Sequence, residues 1–141
     1  MSRKNLLLDI GYDYDFELIS IISSWRDYRL CWLLNKTCGI ELMKLEDLKI
    51  EYPRKQAAFF HLYHYNDELN WTQYYFIANK SGGEALIPEL KQVDYFVQIA
   101  GGNASNEKDR ILGFLKENRA IEAVFETKPM ELKSKQNLII E

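Results

Sequence analysis

Residues 84–102 constrain the fold of this chain more than any other segment, because they join a turn, a rigid proline and the clearest strand pattern in the sequence. Two glycines at positions 82 and 83 precede the segment, and Pro88 stiffens the chain behind them. Residues 93–100 are then rich in β-branched and aromatic side chains and end at Gly101. We predict a strand over residues 93–100, with the carboxylates of Glu89 and Asp94 close to its start.

The first third of the chain predicts a buried strand followed by a helix. Residues 16–22 are apolar almost throughout and β-branched, which suits a strand covered on both faces. Ser24 followed three residues later by Asp27 is typical of a capping box at a helix start. Residues 25–38 are rich in helix-forming side chains, and Gly39 stands where a left-handed C-cap belongs.

The remaining segments predict a second helix, a hairpin and shorter strands. The second helix is expected to start at Asn106, where an aspartate again follows three residues later. Two aromatic runs, residues 57–65 and 71–79, are separated by a short polar loop and predict a β-hairpin. Shorter strands are predicted at residues 5–10, 40–45, 121–126 and, within a C-terminal tail at residues 130–141 that is otherwise expected to be flexible, 138–140.

This order of elements predicts an α+β fold in a single domain over residues 1–141. The two strand, helix, strand units stand on either side of the hairpin, which places both helices on one face of a common sheet. We expect a two-layer sandwich, with a mainly antiparallel sheet of about six strands and two helices on one face. At 141 residues, the chain is long enough to bury a core without metals or disulfides.

Charge and hydropathy disfavour several classes of partner. The formal net charge is -3, from 18 basic and 21 acidic residues, and the basic residues are scattered along the chain. Phosphate backbones and anionic lipids are bound through clustered Lys and Arg, so neither nucleic acid nor a membrane is expected as a partner. The N-terminal leucines are too few for a signal-peptide core, and no apolar run reaches the roughly 18 to 20 residues of a membrane span. We expect a cytoplasmic protein.

The sequence contains no pattern that predicts a metal, a cofactor or a catalytic group. Three aspartates lie between residues 9 and 15, but the regular oxygen ligands and closing glutamate of a calcium loop do not follow them. His61 and His64 fall on opposite faces of the predicted hairpin strand and cannot bind one metal. Cys31 and Cys38 are two turns apart on the predicted helix, too far for a disulfide. Neither a glycine-rich phosphate loop nor a nucleophile elbow is present.

The predicted helix at residues 25–38 carries two neighbouring stripes of side chains. The apolar stripe predicts the buried face and consists of Leu30, Cys31, Leu34 and Cys38. The second stripe contains Tyr28, Trp32 and Asn35, close to Arg29. Exposed, these aromatic side chains would form a recognition surface. We favour the alternative, in which a wide core face holds both aromatic rings.

Two blocks of residues carry a family resemblance. The later block is Ile87, Pro88 and Glu89, followed after four residues by Asp94 and Tyr95. The earlier block is Asp27, Tyr28, Arg29, Leu30, Trp32 and Asn35. Together they resemble the uncharacterised bacterial IPExxxDY family, found chiefly in Bacteroidetes-type bacteria. The resemblance implies a cytoplasmic, single-domain bacterial protein, and it implies no activity, cofactor or catalytic residue.

We expect a non-catalytic protein-interaction or adaptor module that binds a protein partner or a second copy of the chain. Nine Tyr, seven Phe and three Trp exceed what one small core readily holds, and Tyr and Trp are favoured at interfaces. Exposed members are therefore expected among Tyr28, Trp32, Trp71 and Tyr95. The candidate interaction residues are Asp27, Tyr28, Arg29, Trp32, Asn35, Pro88, Glu89, Asp94 and Tyr95.

Three other functions rank lower. A small-ligand-binding regulatory domain fits the predicted architecture by analogy alone. RNA binding would use four aromatic side chains of the sheet as stacking platforms, but the charge disfavours it: Phe59, Tyr63, Tyr74 and Phe76. An enzyme with Glu89 and Asp94 as an acid–base pair, and His61 or His64 near them, ranks last. Glu89 can instead bond backbone donors, and Asp94 can bond a loop or Arg29.

Overall fold

The computed structural model describes residues 14–140 and has an α+β fold. The strands of its main sheet are β1 (Glu17–Ile22), β2 (Met43–Lys44), β5 (Leu62–Asp67), β6 (Thr72–Ala78), β9 (Tyr95–Gly101) and β10 (Ala123–Thr127). Two short pairs lie outside that sheet: β3 (Leu48–Ile50) with β4 (Ala58–Phe60), and β7 (Lys80–Ser81) with β8 (Glu84–Ala85). The main sheet has the order β10, β1, β9, β6, β5, β2, and each neighbouring pair is antiparallel. The predicted sheet of about six strands is confirmed.

Two helices cover one face of the main sheet. They are α1 (Asp27–Cys38) and α2 (Ala104–Lys116), and their buried side chains share one core cluster with those of β1, β6 and β9. The predicted stripe on α1 is buried, and Gly39 closes the helix in the left-handed conformation. Burial raises the pKa of the Cys31 and Cys38 thiols to about 11 each, as is usual for cysteines that pack as small hydrophobes.

The other face of the sheet is covered by short strands and irregular segments. A second hydrophobic core lies on this face, and it contains Phe60 from β4, Ile87, Phe96 from β9 and Leu138 from the C-terminal segment. The predicted strand at residues 138–140 is wrong, because this segment instead forms a 3-10 turn at Lys135–Leu138 that buries Leu138. The helix layer and the sheet layer are thus as predicted. On the sheet face opposite the helices, short strands and irregular segments form an additional layer.

Each helix joins two strands that run in the same direction. Because neighbouring strands alternate in direction, β9 and β10 are parallel to each other and flank β1. Likewise β1 and β2 are parallel, with three strands between them. The two predicted strand, helix, strand crossovers are therefore present, with the β5–β6 hairpin between them. None of the helices within residues 14–140 is long and apolar enough to cross a membrane.

Several predicted element boundaries are wrong, because contacts made in the folded chain set them rather than the local sequence pattern. The helices do not start at the predicted capping boxes. The N-cap position is Arg26 in α1 and Asn103 in α2, and neither side chain forms a capping hydrogen bond. Ala104 is already buried in the core, so packing rather than a cap sets the start of α2. The strand predicted at residues 40–45 shrinks to β2, since the Asn35 side chain takes the backbone groups of Leu42. The strand predicted at residues 5–10 lies outside the described residues.

Candidate functional site

The two sequence blocks meet at the N-terminal end of α1, where they line a polar cleft of about 320 Å³. Asp27 comes from α1, Tyr95 from the start of β9, and Asp94 from the residue before that strand. The described residues that line this cleft are Ser23, Ser24, Trp25, Arg26, Asp27, His61, Ala78, Lys80, Asp94 and Tyr95. Its charged side chains thus come from segments distant in the sequence, which a sheet of this order brings together.

Asp27 accepts two side-chain hydrogen bonds at the cleft. Its Oδ2 accepts hydrogen bonds from His61 Nδ1 at 2.6 Å and from the Tyr63 hydroxyl at 2.9 Å. Burial alone raises the pKa of Asp27, but these bonds outweigh it and hold the pKa below its ordinary value. The pKa of Tyr63 is raised by burial and by its bond to the carboxylate. Because Nδ1 of His61 donates to Asp27, its Nε2 takes no part in this bond.

Of the two contacts predicted for Asp94, a loop and Arg29, the structure contains only the first. Its Oδ2 accepts the backbone amide of Ser23 at 2.9 Å, and its Oδ1 accepts Lys80 Nζ at 2.7 Å. The predicted bond to a loop is confirmed. The predicted pairing with Arg29 is wrong, because the guanidinium of Arg29 stacks on the Trp25 ring, 4.0 Å from its centroid.

Tyr95 connects the cleft to the start of α1. Its hydroxyl donates to the backbone carbonyl of Trp25 at 2.7 Å. Burial, and after it the nearby charges of Asp27 and Asp94, raise the pKa of Tyr95 to about 12. The phenol is therefore a neutral donor at physiological pH, and it positions the segment that precedes α1.

Tyr28 and Trp32 form an exposed pair on α1, which we call the α1 aromatic face. Their exposed fractions are 61% and 57%, so the expected core face holding both rings is wrong. The neighbouring apolar stripe of α1 faces the core instead. Tyr28 and Trp32 therefore lie outside the core. Lys36 lies over the Trp32 ring at 4.9 Å. Asn35, by contrast, is structural, since its amide holds the backbone of Leu42.

Pro88 and Glu89 lie outside the cleft. Pro88 begins a 3-10 turn at Pro88–Leu90, and Glu89 accepts both the amide of Ser134 at 2.8 Å and its hydroxyl at 2.9 Å. Burial raises the pKa of Glu89, but the bonds from Ser134 outweigh it and lower the pKa overall. Glu89 therefore fastens the C-terminal segment, and the acid–base pair of Glu89 with Asp94 is not formed.

The interaction residues predicted from the sequence leave out three residues that organise this region. His61 and Lys80 line the cleft together with Arg26, and of these the sequence hypotheses named only His61, as a neighbour of the Glu89 and Asp94 pair. Asn79 is fully buried and holds residues 87–93: its Nδ2 donates to the carbonyls of Leu90 and Val93, and its Oδ1 accepts the amide of Ile87. A lone Asn at the end of an aromatic strand was the one available signal for it.

Among the described residues, the other aromatic and acidic residues considered in the sequence analysis lie outside the cleft, apart from Tyr63, which bonds Asp27. Three of the four aromatic rings proposed to stack on RNA are buried: Tyr63, Tyr74 and Phe76. Trp71 and Leu69 are exposed at the tip of the β5–β6 hairpin, so exposed members of the aromatic set are present as expected. Of the three aspartates between residues 9 and 15, only Asp15 is among the described residues. Within residues 14–140, no three His, Cys, Asp or Glu side chains are placed to hold a metal.

No protein-family model matches the chain, and no curated protein is significantly similar to it.

Proposed function

We propose that this protein is a non-catalytic interaction module that binds an acidic partner protein through the α1 aromatic face. The observation that carries the proposal is the exposure of Tyr28 and Trp32, one helical turn apart on a rigid element. Large aromatic side chains on a helix surface are favoured anchors at protein interfaces. A cytoplasmic location and membership of the IPExxxDY family belong to the same proposal, on the residue blocks quoted above.

The charges around the α1 aromatic face favour an acidic partner. The exposed charged side chains on and just before α1 are Arg26, Arg29 and Lys36, and the one acid there, Asp27, is engaged by His61. This face is thus basic although the whole chain carries a formal charge of -3. Three cations are too few for the extended phosphate contacts of nucleic acid, whereas they suit a short acidic protein segment.

Capture from the protein's own cell tests the proposal. The tagged full chain is compared with the double variant Tyr28→Ala, Trp32→Ala and with a matched control, Leu69→Ala, Trp71→Ala, which removes two aromatic or apolar side chains that are also exposed. We expect a stoichiometric acidic protein with the wild type and the control. Truncating two anchors should weaken its binding at least about tenfold, because each anchor is worth about 1 to 2 kcal/mol.

Three results of the capture experiment would contradict binding of an acidic partner protein. A chain recovered alone, equal loss in the control variant, or recovery of nucleic acid that nuclease removes would each overturn the proposal. Self-association detected by sedimentation, if abolished by the α1 variant, would replace the acidic partner with a second copy of the chain. With a purified partner, affinity should also fall as salt rises, because opposite charges are screened.

A second candidate function, a small-ligand-binding regulatory domain, is favoured by the cleft. A concave site with several convergent polar groups is the usual form of a small-molecule pocket. Here His61, Lys80 and Asp94 converge from three separate segments. Ligand-dependent protection of these residues from hydrogen exchange would support this function, and unchanged exchange with the metabolite extract of the same cell would contradict it.

A further inference from the structure

The basic side chains of the cleft are more exposed to solvent than its two carboxylates. The exposed fractions of the side chains are 54% for His61 and 51% for Lys80, against 15% for Asp27 and 23% for Asp94. Arg26, on the same rim, is exposed as well. A ligand that enters from solvent therefore meets three basic side chains before it meets either acid.

These two carboxylates already have partners. Asp27 accepts from His61 and Tyr63, and Asp94 accepts from Lys80 and the amide of Ser23. Each acid is thus already bonded by groups of the protein itself, and these partners offset part of its negative charge before a ligand arrives.

Arg26 and Lys80 keep N–H donors that the protein does not use. Among the residues that the structure describes, the Arg26 guanidinium has no ion-pair partner. Lys80 uses one of its three N–H groups for Asp94. An anionic oxygen would find bonds here that the protein does not supply.

We propose that the cleft binds the carboxylate of a small organic acid, with Arg26 and Lys80 as its charge partners and the His61 side chain lining the same cavity. The planar fork of a guanidinium matches a carboxylate in two parallel hydrogen bonds. Trp25 and Tyr95 line the same cavity and can pack against the carbon skeleton of the acid. The inference rests on the second candidate function and deepens it, and of the residues assigned to the surroundings of the α1 aromatic face its charge partners include Arg26 alone.

Four probes with one shared phenyl ring test the ligand class. Phenylacetate, phenylacetamide, 2-phenylethylammonium and phenyl phosphate are titrated into the full chain while NMR follows the backbone amides of Ser24 and Lys80 and the His61 ring. We expect saturable shifts with phenylacetate in the millimolar range, and at least about tenfold weaker binding of the amide. Equal affinity for the amide or the ammonium, tighter binding of the phosphate, or no binding of any probe would each overturn the inference.

A matched pair of variants locates the binding. Arg26→Gln should weaken phenylacetate at least about fivefold, because it removes the unpaired cation of the rim. Arg54→Gln removes an exposed guanidinium between β3 and β4 that lies outside the cleft, and it should leave the affinity unchanged. Equal losses in both variants would mean general charge attraction and contradict a built site. Failure of these titrations leaves the capture experiment for the acidic partner protein untouched, so the two proposals fail separately.

Discussion

Glu89 and Asp94 stand five residues apart in one sequence block, yet they lie in two different regions of the molecule. Glu89 bonds Ser134 and fastens the C-terminal segment over the face of the sheet opposite the helices. Asp94 bonds the amide of Ser23 and lines the cleft at the start of α1. A carboxylate therefore holds the C-terminal segment against the sheet in one region, and in the other region a carboxylate lines a solvent-accessible cleft.

The difference teaches that the partner of an acid, rather than its place in a motif, decides what the acid does. Ser23 is buried, so its amide depends on Asp94 for a hydrogen bond. Ser134 is only half-buried and can turn to water when Glu89 is removed. The four predictions below test this comparison through stability, from the largest expected effect to the smallest.

Asn79→Ala should destabilise both regions together, because Asn79 holds the segment that contains both acids. The change leaves the amide of Ile87 and the carbonyls of Leu90 and Val93 without their side-chain partner. We expect the free energy of unfolding in urea to fall by about 3 to 5 kcal/mol. Asn66→Ala, at an exposed position of β5, should change it by less than about 0.5 kcal/mol. A loss below about 1 kcal/mol for Asn79→Ala would mean that other contacts hold the segment.

Asp94→Ala should cost more stability than Glu89→Ala. The first leaves a buried amide at Ser23 unpaired and should lower the free energy of unfolding by about 1 to 3 kcal/mol. The second exposes groups of Ser134 to water and should cost about 1 kcal/mol or less. Both variants are compared by urea unfolding at neutral pH, and an equal or reversed order would remove the contrast between the two regions.

The stability contributed by Asp27 should depend on pH. Its folded-state pKa lies below the ordinary value of 3.8, so the contribution is present above that value and is lost as the pH falls through the folded pKa. The advantage of the wild type over Asp27→Asn, about 1 kcal/mol at about pH 6, should shrink towards about pH 3. Tyr63→Phe removes one of the bonds that lower this pKa and should reduce the pH dependence. A constant difference across this range would contradict the role given to the two bonds.

The α1 aromatic face should contribute least to stability. Because Tyr28 and Trp32 are exposed, their replacement by Ala should change the free energy of unfolding by less than about 0.5 kcal/mol each. Thermal and urea unfolding of the single variants measure this directly. A loss above about 2 kcal/mol would make the two rings part of the fold, and any loss of partner binding would then have a structural cause.

Much of the fold could be predicted because its signals are local. The apolar stripe on α1 and the left-handed cap at Gly39 follow from spacing and backbone preference within one helix. The apolar run at residues 16–22 lies, as β1, between β9 and β10, buried on both faces. Starts of helices were less predictable, since burial of Ala104 outweighed the capping preference of Asn106.

Sequence by itself thus determined the fold class, the core stripe of α1 and the hairpin, because neighbouring residues carry the periodicity that sets each element. Only the tertiary structure decided which charges meet. His61 reaches Asp27 across 34 residues and Asp94 reaches Ser23 across 71, distances over which a sequence contains no pairing signal. It also decided that Tyr28 and Trp32 face solvent, because the orientation of a helix is set by which of its stripes the sheet can bury.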